Sequence, residues 1–121
     1  MNNKKTLDDQ VNAINQLSII IPVFNEENSI LKVINNLKEI MNKSNLNFEI
    51  IAVDDGSTDK SYDLLNTISD IKVYQHNSNI GYGQALKTGI KYSKFENIVI
   101  TDCSYTLWFS FRINLTHLLM A

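Results

Sequence analysis

Four short apolar stretches alternate with amphipathic ones along the chain. The apolar stretches span residues 17–24, 48–54, 71–76 and 97–102, and each contains isoleucine or valine. Runs this short, rich in β-branched residues and without strict alternation, are typical of strands that are buried on both faces of a sheet. The pattern therefore predicts four buried β-strands.

The segments between the strands carry helical patterns. Residues 26–43 repeat apolar side chains every three to four positions, the stripe of an amphipathic helix, with Asn25 placed to cap it. The stripe consists of Ile30, Val33, Ile34, Leu37, Ile40 and Met41. Residues 58–69 and 81–93 predict two shorter helices. The order βαβαβαβ predicts an α/β fold, a parallel sheet with helices on both faces.

Unusual polar residues lie where the predicted strands end. The sequence PVFNEE follows the first strand, DDGSTD ends the second, and Asp102 closes the fourth. Open α/β sheets bind ligands at the carboxyl ends of their strands. We therefore expect these three segments to converge at one edge of the sheet.

Two adjacent acids, Asp54 and Asp55, end the second strand, and two interpretations of them remain open. Gly56 allows a tight turn, and Ser57, Thr58 and Asp59 suit a helix cap, which explains the residues after the acids but not the acids themselves. Carboxylates also accept hydrogen bonds from the N–H and O–H groups of a base or a ribose. Neighbouring carboxylates repel each other, so either interpretation requires groups that compensate their charge.

Size and charge narrow the classes of function. The 121 residues suffice for one small domain, and the formal net charge of −2 gives no general attraction to nucleic acid. A single cysteine, Cys103, excludes an internal disulfide and suits a reducing compartment.

Residues 1–16 form a polar leader without the apolar centre of a signal peptide. No apolar run reaches the ~18 residues of a membrane span, so we expect no transmembrane segment.

Three other features carry weaker signals. Gly81 and Gly83 precede a predicted helix, but the third small position of a dinucleotide-binding fingerprint would fall on Leu86, which is too large. His76 and His117 lack metal-ligand spacing and are interpreted as surface or core residues. No dinucleotide site and no histidine metal site is therefore expected.

Taken together, four motifs resemble family 2 glycosyltransferases, nucleotide-sugar-dependent enzymes with the GT-A fold. They are SIIIPVFNEENSI, EIIAVDDGSTDKS, NIGYGQALKTGI and IVITDC, in the order and spacing of that family. The third is most similar to the dolichyl-phosphate mannose synthase and polyprenyl-phosphate glycosyltransferase branch. The resemblance covers residues 17–103, the Rossmann-like nucleotide-binding half of the family's domain, and leaves 104–121 as an atypical apolar tail.

The resemblance implies a set of site residues. The nucleotide of a GDP- or UDP-linked sugar would contact Pro22, Phe24, Glu26, Val53, Asp54, Asp55, Gly81, Asp102 and Cys103. Asp102 matches the first acid of the D-x-D motif, which holds Mg²⁺ or Mn²⁺ against the diphosphate. The implied acceptor is a polyprenyl phosphate, and the implied location is the cytoplasm or the cytoplasmic face of the membrane.

The chain departs from the family at Ser104, where the second metal-binding aspartate would stand. A hydroxyl is a poorer ligand for Mg²⁺ or Mn²⁺ than a carboxylate, so we expect weakened cation binding. Residues 104–121 do not resemble the family's continuation, and we expect a truncated, inactive transferase. One alternative is a nucleotide-binding module without catalysis. The other is a flavodoxin-like or response-regulator-like signalling domain, although the third strand ends without the phosphoacceptor aspartate that such a domain needs.

Overall fold

The computed structural model describes residues 15–103 and the strand at 108–112. Within these residues the elements are β1 (Gln16–Val23), α1 (Ile30–Asn42), β2 (Asn47–Asp54), α2 (Ser61–Leu65), β3 (Lys72–Gln75), α3 (Tyr82–Lys91), β4 (Asn97–Thr101) and β5 (Trp108–Arg112). The described strands form one sheet in the order β3-β2-β1-β4-β5. Strands β1 to β4 run parallel to one another, which confirms the predicted α/β class.

Strand β5 is the main addition to the predicted architecture. It pairs antiparallel with β4, so an antiparallel strand lies along the side of β4 that a sheet of four parallel strands leaves open. This strand belongs to the segment that the sequence marks as an atypical apolar tail. The rest of that segment, 104–107 and 113–121, and the polar leader up to residue 14 lie outside the described residues.

The two faces of the sheet carry different helices. Ile19, Ile21 and Val23 of β1 pack in one core with α1, whereas Ile20 packs in a second core with Ile90 of α3. This alternation follows from the two-residue period of a strand, and it confirms that helices cover both faces. On α1 the predicted stripe is buried except for Ile40, which lies at the edge of the stripe and is exposed.

The start of α1 differs from the prediction. The helix begins at Ile30 with Ser29 at the N-cap position, and Asn25 lies outside it with a φ of 52°. The side chain of Asn25 is engaged elsewhere, because its Oδ1 accepts hydrogen bonds from the N–H groups of Thr58 (2.8 Å) and Asp59 (3.3 Å). Asn25 therefore joins the β1–α1 loop to the β2–α2 loop instead of capping a helix.

These two loops are fastened by further hydrogen bonds. The backbone N–H of Asn25 donates to Ser57 Oγ at 2.9 Å, and that of Glu26 donates to Ser61 Oγ at 2.8 Å. The hydroxyl of Ser57 therefore binds the neighbouring loop. Helix α2 has Lys60 at its N-cap position, and the side chain of Lys60 makes no cap bond. Asp59 does act as a cap, because its Oδ1 accepts a hydrogen bond from the N–H of Ser61, the first residue of α2, at 2.8 Å.

A half-buried carboxylate fixes the opposite, amino edge of the sheet. Glu49 on β2 accepts hydrogen bonds from Ser18 Oγ on β1 and from the backbone N–H of Lys94, and it pairs with Lys72 Nζ at 2.7 Å. Burial disfavours its ionisation, but the hydrogen bonds outweigh burial and hold the pKa of Glu49 below its ordinary value. This network joins three neighbouring strands at the end remote from the polar loops.

None of the helices within residues 15–103 has both the length and the apolar character needed to cross a lipid bilayer.

Candidate functional site

A cavity of about 290 Å³ opens at the carboxyl ends of β1 and β4, beside the start of α3. It is lined by Pro22, Val23, Phe24, Glu26, Asp55, Asn79, Gly81, Tyr82, Ala85, Asp102 and Cys103. Seven of these were predicted from the sequence: Pro22, Phe24, Glu26, Asp55, Gly81, Asp102 and Cys103. The three polar segments thus meet at one edge of the sheet, as expected for segments that follow the carboxyl ends of parallel strands.

The other two predicted residues, Val53 and Asp54, do not line this cavity. Val53 is fully buried and packs with Ile51 and Ala85 between the sheet and α3. Asp54 is also fully buried, and its Oδ2 accepts a hydrogen bond from the N–H of Ser57 at 3.2 Å. The strand ends at this point, and of the two adjacent acids only Asp55 reaches the cavity wall.

Asp55 is held by three hydrogen-bond partners. Its Oδ1 lies 2.8 Å from His76 Nδ1 and 3.0 Å from the N–H of Ile80, and its Oδ2 accepts from the N–H of Gly81 at 2.9 Å. Burial disfavours the charged form, but the bonds from His76, Ile80 and Gly81 outweigh burial and lower the pKa of Asp55. These donors stabilise the negative charge of Asp55, as is required for two adjacent acids.

Asp54 has fewer described hydrogen-bond partners than Asp55. Among the described residues its Oδ1 has no hydrogen-bond partner, although the atom is buried. Since buried polar atoms are normally paired, this oxygen marks the less satisfied half of the acidic pair. The two carboxylates therefore have different surroundings despite their adjacency.

Two glycines shape the loops around the cavity. Gly56 has a φ of +70°, and a Cβ built on it would lie 2.3 Å from the backbone carbon of Ser78. Gly81 has a φ of 110° and a ψ of 157°, which only glycine adopts readily. Gly56 thus lets the β2–α2 loop pack against residues 78–79, and Gly81 lets the chain turn into α3 at the cavity wall.

Several residues of this site were not predicted from the sequence. Asn79 and Tyr82 line the cavity. His76 does not line it but contacts Asp55, which does. His76 is the last residue of the predicted third strand, at the edge of the sheet where ligands are expected, but its isolation in sequence led to a core or surface interpretation. Tyr82 follows Gly81 at the start of a helix, and no chemical pattern distinguishes it.

The donor set at the cavity supports a divalent cation only in combination with a ligand. Within residues 15–103, no three His, Cys, Asp or Glu side chains converge as metal ligands. Asp102 brings one carboxylate to the cavity, and Mg²⁺ is commonly bound by one or two carboxylates together with substrate phosphates and waters. Asp102 would therefore fit as the single protein carboxylate of such a cation, with phosphate oxygens of a ligand and water as the other ligands.

Cys103 lies in the cavity wall, but the residue is only 8% exposed because it packs in the core between the sheet and α1. Burial, with the nearby charges of Glu26 and Asp102, raises the pKa of its thiol to about 12. Because the thiolate is the reactive form, we expect iodoacetamide at pH 8 to label the folded protein far more slowly than the urea-unfolded protein. Equal labelling rates, measured by mass spectrometry, would contradict this placement of Cys103.

Acid should destabilise the fold through Glu49 and Asp55. Both carboxyl groups have a lowered pKa in the folded state. Their ionised forms therefore stabilise the fold at pH values above the ordinary pKa values of 4.5 and 3.8. This stabilisation is lost as the pH falls further, because the unfolded state then binds more protons. We expect the melting temperature to drop below about pH 5. Glu49→Gln should flatten this drop, whereas Glu39→Gln, on the exposed face of α1, should leave it unchanged.

Comparison with known proteins gives a consistent assignment. The family model for glycosyl transferase family 2 matches residues 18–105. An uncharacterized glycosyltransferase of Bacillus subtilis, YkcC, is 35% identical over 91 residues, which cover 72% of this chain and 28% of that protein. An undecaprenyl-phosphate 4-deoxy-4-formamido-L-arabinose transferase of Enterobacter is 31% identical over 98 residues, covering 77% of this chain and 30% of that protein. The chain thus spans less than a third of the length of these relatives.

Solved structures share the fold. S. aureus TarS 1–349 in complex with UDP superposes with a TM-score of 0.63 at 26% identity, covering 73% of this chain and 27% of that one. The mannosyltransferase PcManGT from Pyrobaculum calidifontis, solved with GDP-Man and Mn²⁺, gives a TM-score of 0.62 at 25% identity, covering 72% and 27%. The described residues therefore have the fold of part of a GT-A domain, as the sequence predicts. Fold and family match agree, and the chain belongs to glycosyl transferase family 2.

Proposed function

We propose that the cavity binds the nucleoside diphosphate part of a nucleotide sugar, and that this chain is the donor-binding part of a glycosyltransferase. The observation that supports this most is the meeting of Phe24, Glu26, Gly81 and Asp102 in one cavity at the carboxyl ends of the strands. These residues come from three separate loops, and a purely structural role for all of them would not require a shared opening.

The cavity offers suitable groups for a base and a ribose. Glu26 supplies carboxylate oxygens that accept hydrogen bonds from N–H and O–H donors. Phe24 and Tyr82 are 43% and 54% exposed, and aromatic side chains at such an opening provide surfaces on which a base can stack. We propose that the base lies against these side chains with its polar edge toward Glu26.

The start of α3 suits the diphosphate. Gly81 and Tyr82 line the cavity at the N-terminus of this ten-residue helix, where backbone N–H groups favour an anion. Glu26, Asp55 and Asp102 would repel a diphosphate, and no lysine or arginine among the described residues lines the cavity. A divalent cation, when bound, neutralises the charge of the diphosphate, and Asp102 would hold it from the protein side.

The whole enzyme would transfer the sugar to a polyprenyl phosphate. This proposal rests on the Enterobacter relative, whose name gives undecaprenyl phosphate as its substrate. Such an acceptor would place the transfer at the cytoplasmic face of a membrane. Because the chain spans less than a third of its relatives' length, we propose that it binds the nucleotide without transferring the sugar on its own.

Calorimetric titration of the chain with UDP and with GDP, each with Mn²⁺, tests this function. We expect one of the two to bind with a dissociation constant below about 1 mM. Glu26→Gln should weaken binding about tenfold, since it removes a charged acceptor from the cavity, while Glu39→Gln on the outer face of α1 should not. Absence of binding by both nucleotides to a folded chain would refute the proposal.

Substitution of Ser104 tests the cation. Ser104→Asp adds the second carboxylate of the D-x-D pattern, so we expect Mn²⁺ to strengthen nucleotide binding more in this variant than in the wild type or in Ser104→Ala. Transfer of a sugar to undecaprenyl phosphate should remain undetectable for all three proteins. Turnover by the Ser104→Asp chain alone would contradict the view that transfer needs more of the enzyme.

A further inference from the structure

His76 does not line the cavity, yet its ring joins two elements that form the cavity wall. Its side chain is 13% exposed and contacts Asp55, which is 6% exposed. Nδ1 lies 2.8 Å from Asp55 Oδ1, and Nε2 lies 2.7 Å from Thr88 Oγ1 on α3. The backbone N–H of His76 also donates to the carbonyl oxygen of Asp54 at 2.8 Å. The imidazole is therefore fixed on both of its nitrogens between the sheet and α3.

The bond to Asp55 sets the tautomer of the ring. A carboxylate only accepts hydrogen bonds, so Nδ1 must carry a proton that it donates to Asp55. In the neutral ring Nε2 then accepts from the hydroxyl of Thr88, and in the protonated ring it donates to the same oxygen. The contact with Asp55 persists in both states because the donor is Nδ1–H in each.

Asp55 passes this constraint to the loop that forms one wall of the cavity. Its two oxygens accept the N–H groups of Ile80 and Gly81 at 3.0 and 2.9 Å. Together with His76 these donors occupy three of the roughly four acceptor positions of a carboxylate. Little of the hydrogen-bonding capacity of Asp55 is left for a ligand, and most of it serves to fix the backbone at residues 80–81.

The position of residues 80–81 decides the shape of the wall. Gly81 lines the cavity, and its carbonyl oxygen accepts the first hydrogen bond of α3, from the N–H of Ala85 at 3.1 Å. Ile80 is 53% exposed, so little apolar packing holds this segment in place. The hydrogen bonds to Asp55 are therefore the main described interactions that fix it.

We infer that His76 is a positioning residue of the nucleotide site. It orients Asp55 through Nδ1–H, and Asp55 in turn holds the backbone of Ile80 and Gly81 against the cavity. His76 itself touches no ligand. The effect on nucleotide affinity rests on the proposed function, whereas the effect on the loop does not.

Amide hydrogen exchange in the ligand-free chain tests the inference. We expect His76→Ala to speed exchange at the Ile80 and Gly81 amides about tenfold. His76→Asn places a side-chain N–H close to the position of Nδ1, and exchange should return to within about threefold of the wild type. Gln75→Ala, an exposed change at the end of the same strand, serves as the control and should leave both amides unchanged.

Nitrogen NMR of the wild-type ring gives a second readout that needs no variant to fold. The inference requires a protonated Nδ1 on His76 at neutral pH, and a ring protonated only at Nε2 would overturn it. Unchanged exchange at Ile80 and Gly81 in His76→Ala would overturn it as well, as would His76→Asn exchanging as fast as His76→Ala.

Nucleotide titration separates this inference from the proposed function. If the wild type binds UDP or GDP, His76→Ala should raise the dissociation constant about tenfold and His76→Asn should restore it. This difference in affinity should remain when the two variants have the same melting temperature. Affinities that follow the melting temperature alone would contradict a positioning role. If the wild type binds neither nucleotide, the proposed function fails, and the exchange and NMR results still decide the role of His76.

Discussion

Gly56→Ala should destabilise the fold by about 3 kcal/mol, because two costs add. The residue has a φ of +70°, which is unfavourable for alanine, and the new Cβ would lie 2.3 Å from the backbone carbon of Ser78 and 2.4 Å from the nitrogen of Asn79. Both contacts are with backbone, so the two loops have to separate. We expect nucleotide affinity to fall together with stability, since Asn79 lines the cavity.

Gly83→Ala is the matched control for Gly56→Ala. Gly83 lies within α3, and a Cβ at this position would meet nothing within 4 Å. The substitution should therefore stabilise the chain by up to about 1 kcal/mol, because alanine favours a helix more than glycine does. Urea unfolding measures both free energies. Equal effects of the two substitutions would show that the loops at Gly56 and Ser78 do not pack as described.

Asp55→Asn should lower the free energy of unfolding by about 2–4 kcal/mol and abolish nucleotide binding. The carboxylate accepts from His76, Ile80 and Gly81, whereas an amide has only one oxygen to offer. Its NH₂ group would have to face at least one of these donors. The variant should therefore lose at least one bond, such as that from Gly81 to Oδ2, and keep the others without the charge of the carboxylate. The segment at residues 80–81 would then be held less firmly.

Asp54→Asn tests the contrast between the adjacent acids. Asp54 accepts one described backbone hydrogen bond, from Ser57, and its Oδ1 has no partner among the described residues. An amide can keep the bond to Ser57 and place its NH₂ where the unpaired oxygen was. We expect a change in unfolding free energy within about 1 kcal/mol. A larger loss for Asp54→Asn than for Asp55→Asn, measured by urea unfolding, would reverse the roles assigned here.

The sequence predicted the parallel sheet because its signal is strong and local. Runs such as 17–24 and 48–54 place consecutive isoleucines in the chain, and only a strand covered on both faces buries them all. The location of the cavity followed from the same assignment, since parallel strands present their carboxyl ends at one edge. Seven of the nine predicted site residues accordingly lie together there.

The features that the sequence did not reveal depend on contacts between distant segments. Asn25 suits a helix cap by type, but its side chain binds the loop at Thr58. His76 looked isolated because its partners Asp55 and Thr88 are 21 and 12 residues away. Which of two adjacent acids reaches a cavity depends on where a strand ends, and sequence patterns locate that point only to within a few residues.

A titration of the ¹⁵N-labelled chain with UDP and with GDP, followed residue by residue by NMR, tests the proposed nucleotide site most directly. If the cavity binds the nucleotide, the amides of Phe24, Glu26, Gly81 and Asp102 shift in a saturable way, and those around Glu49 at the opposite edge of the sheet stay in place. Shifts confined to other surfaces, or none with either nucleotide in the folded chain, would contradict a nucleotide site at this cavity.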